Sequence, residues 1–252
     1  MLSKNKGKFI RSLAQKKYRD ENECFVAEGA KTVGDLLGHF PCLLLAATPE
    51  YLGSRANIQA EEIVECTAQE IATASLMKSP REVIAVFSQH RYNKDKHIAF
   101  GSELTLALDG VQDPGNLGTI LRLADWFGIR HVYCSTQCAD AFSPKVVQAT
   151  MGALARVEAH YVDLPNFLSK LSADTPIYGT FLDGSDLYAE PLSPHGIIVM
   201  GSEGNGISAE VAGFINRRLY IPPYPADAAT SESLNVAVAT AITCAEFRRR
   251  SK

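Results

Sequence analysis

The chain lacks any apolar run of the roughly 18 residues that a membrane-spanning helix needs. Its first eight residues, Met-Leu-Ser-Lys-Asn-Lys-Gly-Lys, are polar and basic and have no hydrophobic stretch behind them. That start disfavours a secretory signal peptide. The two absences argue against a membrane-embedded or secreted protein, and we expect a cytoplasmic one.

Closely spaced cysteine pairs with neighbouring histidines are also missing. The six cysteines are scattered along the chain, at positions 24, 42, 66, 134, 138 and 244. We interpret them as reduced core or surface thiols of a cytosolic protein. Cys134 and Cys138 could begin a metal site, but nothing in the sequence supplies the other ligands. We therefore expect no bound metal.

Excess charge is absent overall, yet the charge is unevenly placed. The 252 residues are 46% hydrophobic, enough for one large or two small domains, and carry a net charge of −3. The first 19 residues contain no acid and seven basic residues: Lys4, Lys6, Lys8, Arg11, Lys16, Lys17 and Arg19. The rest of the chain therefore carries a net charge of −10. The chain ends Arg248-Arg249-Arg250-Ser-Lys252. Basic blocks at both ends suit contact with phosphates. The alternative is a solvated helix face and a frayed tail.

The first 90 residues alternate between helix and strand patterns. Helices are predicted at 5–19, 29–39 and 68–75, and strands at 24–28, 42–47, 62–65 and 82–88. This alternation predicts a small α/β domain. The polar stretch Gln89–His97 that follows has no periodicity and is typical of a linker.

A second alternation begins at Leu104. Strands are predicted at 104–108, 131–134, 156–161, 176–182, 196–200 and 218–221, and helices at 115–127, 144–154, 165–171, 209–215 and 232–250. Strands separated by helices imply a mostly parallel sheet. Such sheets bind ligands beyond the carboxyl ends of their strands. The segments 109–116, 180–186, 201–206 and 222–233 all fall there.

The first polar motif is Asn116-Leu-Gly-Thr-Ile-Leu-Arg122, which runs from a strand into a helix. Pro114 and Gly115 turn the chain, and Asn116 is predicted to be the helix N-cap. Arg122 follows nearly two turns later and can share a face with Asn116. The alternative is a capped helix with a surface arginine.

The second motif, Met200-Gly-Ser-Glu-Gly-Asn-Gly-Ile207, follows an apolar strand. Its glycine order, its late position and the carboxylate of Glu203 differ from a dinucleotide-binding loop, and it has no phosphate-loop lysine. A tight strand–helix turn would explain the glycines but not Glu203.

The third motif, Ser233-Leu-Asn-Val-Ala-Val-Ala239, opens the last helix, where Asn235 is unusual among apolar neighbours. The alternative for that motif is a helix start with satisfied polar groups.

In order and spacing, the three motifs resemble the SpoU (TrmH) family of RNA ribose 2′-O-methyltransferases, within the SPOUT superfamily. The likeness covers residues 104–247. More weakly, Phe25-Val-Ala-Glu-Gly29 and Ser79–Phe87 resemble the family's amino-terminal domain, which is similar to ribosomal protein L30e. The resemblance implies an L30e-like α/β RNA-binding domain at 1–95, a linker at 96–103, and a parallel-sheet SPOUT domain at 104–252 with a C-terminal trefoil knot.

The resemblance also implies S-adenosylmethionine as cofactor and a homodimer that uses the last helix. Small residues on that helix, Ala237, Ala239, Ala241 and Ala245, fit such packing.

By position, the resemblance implies cofactor contacts at Gly201, Ile221, Leu234, Thr180 and Leu182. The catalytic set would be Arg122, Asn116, Glu203, Ser233 and Asn235. The family sometimes gives its arginine the role of general base. We favour an electrostatic clamp, because arginine stays protonated in proteins. The segment between Ile221 and Ser233 is longer than the family's usual loop and lacks its glycine.

A ribose methyltransferase must act on RNA, because only RNA offers the 2′-hydroxyl. Ribosomal RNA is the first choice of target and transfer RNA the alternative, and the seven basic residues of the first 19 are the candidate RNA contacts. A non-catalytic RNA-binding protein of the same fold would be expected to lose Arg122 or the Gly201–Gly206 loop. A nucleotide-dependent enzyme on a doubly wound sheet would need a phosphate motif that the chain lacks.

Overall fold

The computed structural model describes residues 1–89, 102–225 and 233–250. The helices are α1 Lys4–Ser12, α2 Lys16–Asn22, α3 Ala30–Leu36, α4 Pro49–Gly53, α5 Ala68–Ala74, α6 Pro114–Trp126, α7 Pro144–Thr150, α8 Leu164–Leu168, α9 Ala209–Ala212 and α10 Val236–Arg250. The strands are β1 Cys24–Glu28, β2 Cys42–Ala47, β3 Ile63–Glu65, β4 Val83–Ser88, β5 Leu104–Asp109, β6 His131–Ser135, β7 Glu158–Val162, β8 Ile177–Asp186, β9 Gly196–Gly201 and β10 Arg217–Tyr220. No described helix combines the length and apolar content that crossing a bilayer demands.

Two compact units divide these elements. The first holds the described residues up to 89 together with 140–155, and the second holds the remainder. A continuous stretch centred on α7 is thus part of the first unit, although the predicted boundary assigned it to the second domain. Most of the predicted linker, at 89–97 or 96–103, lies outside the described residues.

The first unit is built on a four-stranded sheet in the order β1-β4-β2-β3. Strand β4 is antiparallel to both β1 and β2, whereas β2 and β3 are parallel. Strands β1 and β4 are almost wholly buried, which explains their continuous apolar runs. Helix α4 is absent from the sequence prediction, although Thr48 caps it and Pro49 occupies its first turn, a recognisable helix-start signal.

The helix predicted at 5–19 is broken into α1 and α2. Helix α1 ends at Ser12, and its end exposes carbonyl groups that have no partner inside the helix. The buried guanidinium of Arg19 turns back and donates to the carbonyls of Leu13 and Ala14 at 2.8 and 2.9 Å. Because the helix is broken here, the guanidinium of Arg19 is buried, whereas one uninterrupted helix was expected to leave it exposed to solvent.

The second unit is an α/β fold on a six-stranded parallel sheet, as predicted. The strand order is β10-β8-β9-β5-β6-β7, and every neighbouring pair is parallel. Central strands β5 and β9 are buried along nearly their whole length. Since all six strands run the same way, their carboxyl ends lie along one edge, which we call the carboxyl edge. The opposite edge is the amino edge.

Candidate functional site

The glycine-rich second motif forms a loop that folds back on itself at the end of β9. Ser202 and Gly206 exchange two backbone hydrogen bonds of 3.0 and 2.9 Å. Gly206 has a φ of +64°, which favours glycine. At Gly201, an added Cβ would overlap the backbone of Gly206 and Ile207. The loop's own closure therefore requires these two glycines, and the closure presents Glu203 at its exposed tip.

A chain of side-chain hydrogen bonds joins the three motifs. The amide of Asn235 donates to Asn116 Oδ1 at 3.1 Å. The amide of Asn116 in turn donates to Glu203 Oε1. Residues separated by up to 119 positions thus meet at the carboxyl edge, and the direction of donation leaves the carboxylate of Glu203 as the final acceptor.

Capping residues fix this arrangement, and they correct one prediction. The N-cap of α6 is Asp113, whose side chain accepts from the Asn116 N–H at 2.8 Å, so the predicted N-cap role of Asn116 is wrong. Asn235 Oδ1 accepts from the N–H groups of Ala237 and Val238 at 2.9 and 3.3 Å. Asn235 therefore caps α10, which explains a polar residue there and holds its amide towards Asn116.

Arg122 stands apart from this hydrogen-bonded chain. It is exposed on α6, on the same stripe as Thr119 and Trp126, and Trp126 is 84% exposed. Within the described part of the chain, Arg122 has no side-chain hydrogen bond or ion pair, to Asn116 or to any other residue. Ser233 is also exposed, two residues before the cap of α10. An outward-facing guanidinium is available to an external anion such as a phosphate.

Four of the five residues proposed for cofactor contact lie on three adjacent strands or directly after one of them. Thr180 and Leu182 lie on β8, Gly201 ends β9, and Ile221 follows β10 directly. Leu234 precedes α10. Leu182 and Leu234 are 74% and 45% exposed. Two exposed leucines at the end of a sheet suit an apolar ring such as adenine, so the residues present fit an adenosyl cofactor.

A cavity of about 730 Å³ lies at the carboxyl ends of β5, β6 and β7. Glu203 is the only predicted site residue on its wall. Sequence reasoning missed its other polar lining, which includes Gln112, Ser135, Gln137 and Asp163. Their signal was present, because Ser135 ends β6 and Asp163 follows β7 directly.

The basic residues of the first 19 do not form a uniform cationic surface. Lys4 and Lys8 are exposed, whereas Lys6 pairs with Glu62 and Arg11 donates to the carbonyl of Thr73. Lys16 and Lys17 are exposed but pair with Asp20 and Glu21. Arg19 is 2% exposed and binds Asp140 at 2.6 Å, so the structure gives it a structural contact in place of the predicted RNA contact.

The arginines at the end of α10 make contacts within the fold, and phosphate contact by this basic end stays a prediction. Arg248 donates to the carbonyls of Phe127 and Gly128 at 2.7 and 3.1 Å. Arg250 donates to the carbonyl of Glu190 at 2.6 Å. Hydrogen bonds from Arg249, and then from Arg250, lower the pKa of Glu246 from 4.5 to about 2. This network fixes the end of α10 opposite the Asn235 cap.

All six cysteines are free thiols, in agreement with the sequence interpretation. Burial raises the pKa of the Cys24 thiol to about 11 and that of Cys244 to about 12. Cys138 differs, because a hydrogen bond from Cys134 lowers its pKa to about 7. Its Sγ lies 3.2 Å from the carbonyl oxygen of Leu108.

Two family models match the chain. Residues 103–245 match the SpoU rRNA Methylase family, and residues 4–85 match the MRM3-like substrate binding domain. A 23S rRNA (guanosine(2553)-2'-O)-methyltransferase from Bacillus subtilis is 37% identical over 145 residues. That match spans 57% of this chain and 57% of the Bacillus protein.

Solved structures resemble the whole chain. A TrmH-family protein from Porphyromonas gingivalis is 46% identical with a TM-score of 0.90, and 99% of each chain is covered. An AdoMet-bound rRNA methyltransferase from Sinorhizobium meliloti is 32% identical with a TM-score of 0.84, over 99% of this chain and 96% of that one. The likeness therefore extends across both units.

Proposed function

The chain belongs to the SpoU rRNA methylase family, and on that premise we propose that it transfers a methyl group from S-adenosylmethionine to a ribose 2′-hydroxyl of ribosomal RNA. One observation carries this proposal beyond family membership. The hydrogen-bonded chain of Asn235, Asn116 and Glu203 joins all three motifs at the carboxyl edge, beside the strand ends that carry the cofactor candidates.

The reaction places specific demands on the residues of this edge. S-adenosylmethionine, when bound, supplies an electrophilic methyl group. The protein must hold the 2′-hydroxyl in line with that group, let the hydroxyl proton pass to solvent water, and stabilise the negative charge that develops on the oxygen. Arg122, exposed and protonated, acts as the electrostatic clamp on an RNA phosphate and on this oxygen. Asn116, held between Asn235 and Glu203, orients the ribose. Ser233 completes the polar shell.

The cofactor site lies at the ends of β8, β9 and β10. Gly201, Ile221 and Leu234 offer mainly backbone groups, whereas Thr180 and Leu182 line the adenosine side. The exposed leucines 182 and 234 supply the apolar surface that an adenine ring covers. This assignment requires no metal at the reacting atoms.

We assign RNA recognition to residues 1–95 and catalysis to residues 104–252. The family-model match at 4–85, which describes a substrate binding domain, supports this division. Lys4, Lys8, Lys16 and Lys17 are the exposed cations that suit RNA phosphates. Transfer RNA remains the alternative substrate. The free thiols of the chain are suited to a reducing compartment, which supports a cytoplasmic location.

A homodimer packed through α10 is part of the proposal. Val238 is 48% exposed and Ala245 is exposed, so α10 presents an apolar stripe to the outside. The predicted small-residue face is divided, because Ala237 is buried in the core of its own chain. The exterior stripe therefore centres on Val238 and Ala245. The family's trefoil knot is expected in the segment that contains β9, β10 and α10.

A non-catalytic RNA-binding protein of this fold is the competing function. Isothermal titration calorimetry of the full chain with S-adenosylmethionine separates the two, since the methyltransferase must bind the cofactor. Incubation with labelled S-adenosylmethionine and either ribosomal or transfer RNA, followed by 2′-O-methyl mapping, then identifies the substrate. Cofactor binding without methylation of either RNA would contradict the proposed activity.

A further inference from the structure

Two histidines and a glutamate meet at the amino edge of the parallel sheet, far along the strands from the proposed catalytic residues. His131 and Glu158 are the first residues of β6 and β7 and are register partners. His160 follows two residues after Glu158 and pairs with Tyr133. Side chains two residues apart on a strand share a face, so all four side chains lie on the same side of the sheet.

Three potential metal-ligating atoms converge at this place. His131 Nδ1 lies 3.1 Å from His160 Nε2 and 3.5 Å from Glu158 Oε2, and His160 Nε2 lies 3.6 Å from the same oxygen. Zinc binds imidazole nitrogen and carboxylate oxygen at about 2.0–2.2 Å, so ligand atoms at the corners of a tetrahedron are about 3.3–3.5 Å apart. The three distances agree with one face of such a tetrahedron.

The surroundings of the three groups resemble those of a built metal site. The side chains of His131, His160 and Glu158 are only 6%, 14% and 18% exposed. On the far side of the His131 ring, Nε2 faces the carboxylate of Glu103 at 3.9 Å. At this distance the carboxylate makes no hydrogen bond to the ring, but its negative charge favours a cation bound at the histidines. Arg130 lies 3.6 Å from Glu158 Oε1, which leaves Oε2 directed at the histidines.

Aromatic packing holds the second histidine in place. The ring of Tyr133 stacks on His160 with centroids 5.1 Å apart, and on Phe167 of α8 with centroids 4.1 Å apart. Tyr133 is 5% exposed, so this stack is part of the core. A ligand ring that cannot rotate loses little entropy when it binds a metal, which favours binding.

We propose that His131, Glu158 and His160 form a binding site for one Zn²⁺ ion, with the fourth position open to water. Two imidazoles and one carboxylate are ligands that zinc accepts, and the nearly tetrahedral spacing disfavours Mg²⁺ and Ca²⁺, which require octahedral or larger oxygen shells. The site ties edge strand β7 to β6 and is structural, since it lies at the edge opposite the methyl-transfer residues. It departs from the sequence-based expectation of no metal.

The test uses the full chain, stripped with a chelator and returned to metal-free buffer under reducing conditions. Titration with ZnCl₂ is expected to show one ion per chain with a Kd at or below about 1 μM. Thermal unfolding is expected to shift to higher temperature with added Zn²⁺, because the ion binds the folded state. Co²⁺ substitution is expected to give intense visible bands typical of tetrahedral coordination.

Variants separate this site from other zinc-binding groups. His160→Gln and Glu158→Gln are expected to weaken Zn²⁺ binding at least about 100-fold, and Glu103→Gln less, about 10-fold, because it removes a nearby negative charge. His39→Gln, at an exposed histidine of the other unit, and Cys138→Ser are the matched controls and are expected to bind as the original chain does. Circular dichroism of Glu158→Gln is expected to match that of the original chain, which would separate loss of binding from loss of fold.

Three results would overturn the proposal. The first is no zinc binding at micromolar concentration by a folded chain. The second is binding that survives in both His160→Gln and Glu158→Gln. The third is cobalt binding with thiolate charge-transfer bands that disappear in Cys138→Ser, which would move the ion to the cysteines.

Discussion

The two edges of the parallel sheet carry polar side chains in opposite environments. At the carboxyl edge, Glu203 is exposed and Asn116 and Asn235 share one amide hydrogen bond, and Arg122 is exposed on the adjoining helix α6. At the amino edge, His131 is buried in a cluster with two carboxylates. The exposed side chains at the carboxyl edge can contact an external ligand, whereas the buried side chains at the amino edge contact other parts of the fold. Substitutions should therefore reduce activity at one edge and stability at the other.

The largest expected effect on activity is at Arg122. Arg122→Ala removes the cation that stabilises the developing charge, and loss of one such group typically costs about 100- to 1000-fold in rate. Methyl transfer measured with saturating cofactor should fall accordingly, while the unfolding temperature stays unchanged because the side chain is exposed. Lys170→Ala, at another exposed cation of the same unit, is the matched control. A rate for Arg122→Ala within tenfold of the original chain, a loss of about 1.4 kcal/mol, would refute the assigned role.

Two substitutions of Asn235 can distinguish its contribution to activity from its contribution to stability. Asn235→Ala should lose both methyl transfer and about 1 kcal/mol of stability, because the residue caps α10. Asn235→Asp keeps the capping oxygen but loses the amide that donates to Asn116. That variant should retain its stability in urea unfolding and still lose most activity. Equal activity of Asn235→Asp and the original chain would show that the hydrogen-bonded chain is not needed.

At the amino edge, substitution of Tyr133 is expected to reduce stability and to leave activity nearly unchanged. Tyr133→Ala removes a buried ring that stacks on both His160 and Phe167, and such truncations cost about 3–5 kcal/mol. Chemical denaturation should show this loss, whereas the methyl-transfer rate per folded molecule should change less than twofold. A rate that falls in proportion to the stability would show that the two edges are coupled. Tyr161→Ala, at the partly exposed tyrosine of β7, is the milder comparison.

The far end of α10 should confer stability that depends on pH. Arg249 and Arg250 lower the pKa of Glu246 in the folded chain from 4.5 to about 2. The stabilisation is therefore fully present above pH 4.5, the unfolded value, and is lost as the pH falls through about 2. Urea unfolding should show Glu246→Gln less stable than the original chain at pH 6, with the difference shrinking below pH 4. A difference that is constant from pH 6 to pH 2 would contradict this ion-pair origin.

The smallest expected effect concerns the basic amino-terminal segment, outside both edges. The double variant Lys4→Ala and Lys8→Ala removes two exposed cations that have no ion pair in the described part of the chain. If both contact RNA phosphates, the slope of log affinity against log salt should fall by about 1.4 on single strands and about 1.8 on duplex RNA. Filter binding across a salt series measures this slope, and cofactor affinity measured by calorimetry should not change. An unaltered slope would exclude these lysines from RNA contact.

Sequence patterns predicted secondary structure correctly where it depends on residues that are neighbours along the chain. The strands at 24–28 and 42–47 were predicted at their observed bounds, because buried strands are continuous apolar runs. The same reasoning failed at 5–19, where one helix was expected. At the break, Arg19 is held by Asp140, which lies more than a hundred residues away, and no local pattern reveals such a contact.

The candidate site shows the same division. The three polar motifs were recognisable from their residues, and the carboxyl edge was predicted because parallel strands end together. The capping roles were assigned wrongly at Asn116, since both Asp113 and Asn116 are good capping residues and only the helix start distinguishes them. Arg19 was assigned wrongly for a similar reason, because charge is visible in a sequence but the buried partner of an arginine is not.

The sequence by itself determined the class of the fold, the family and the three polar motifs from which the site residues are proposed, because hydrophobic period and motif spacing are local properties. Only the tertiary structure decided which polar groups touch. It brought Asn235, Asn116 and Glu203 into one hydrogen-bonded chain, withdrew Arg19 into the interior, and placed His131 beside His160. Hydrogen bonds and metal coordination act over about 2–3 Å, and strand register rather than separation along the chain sets distances on that scale.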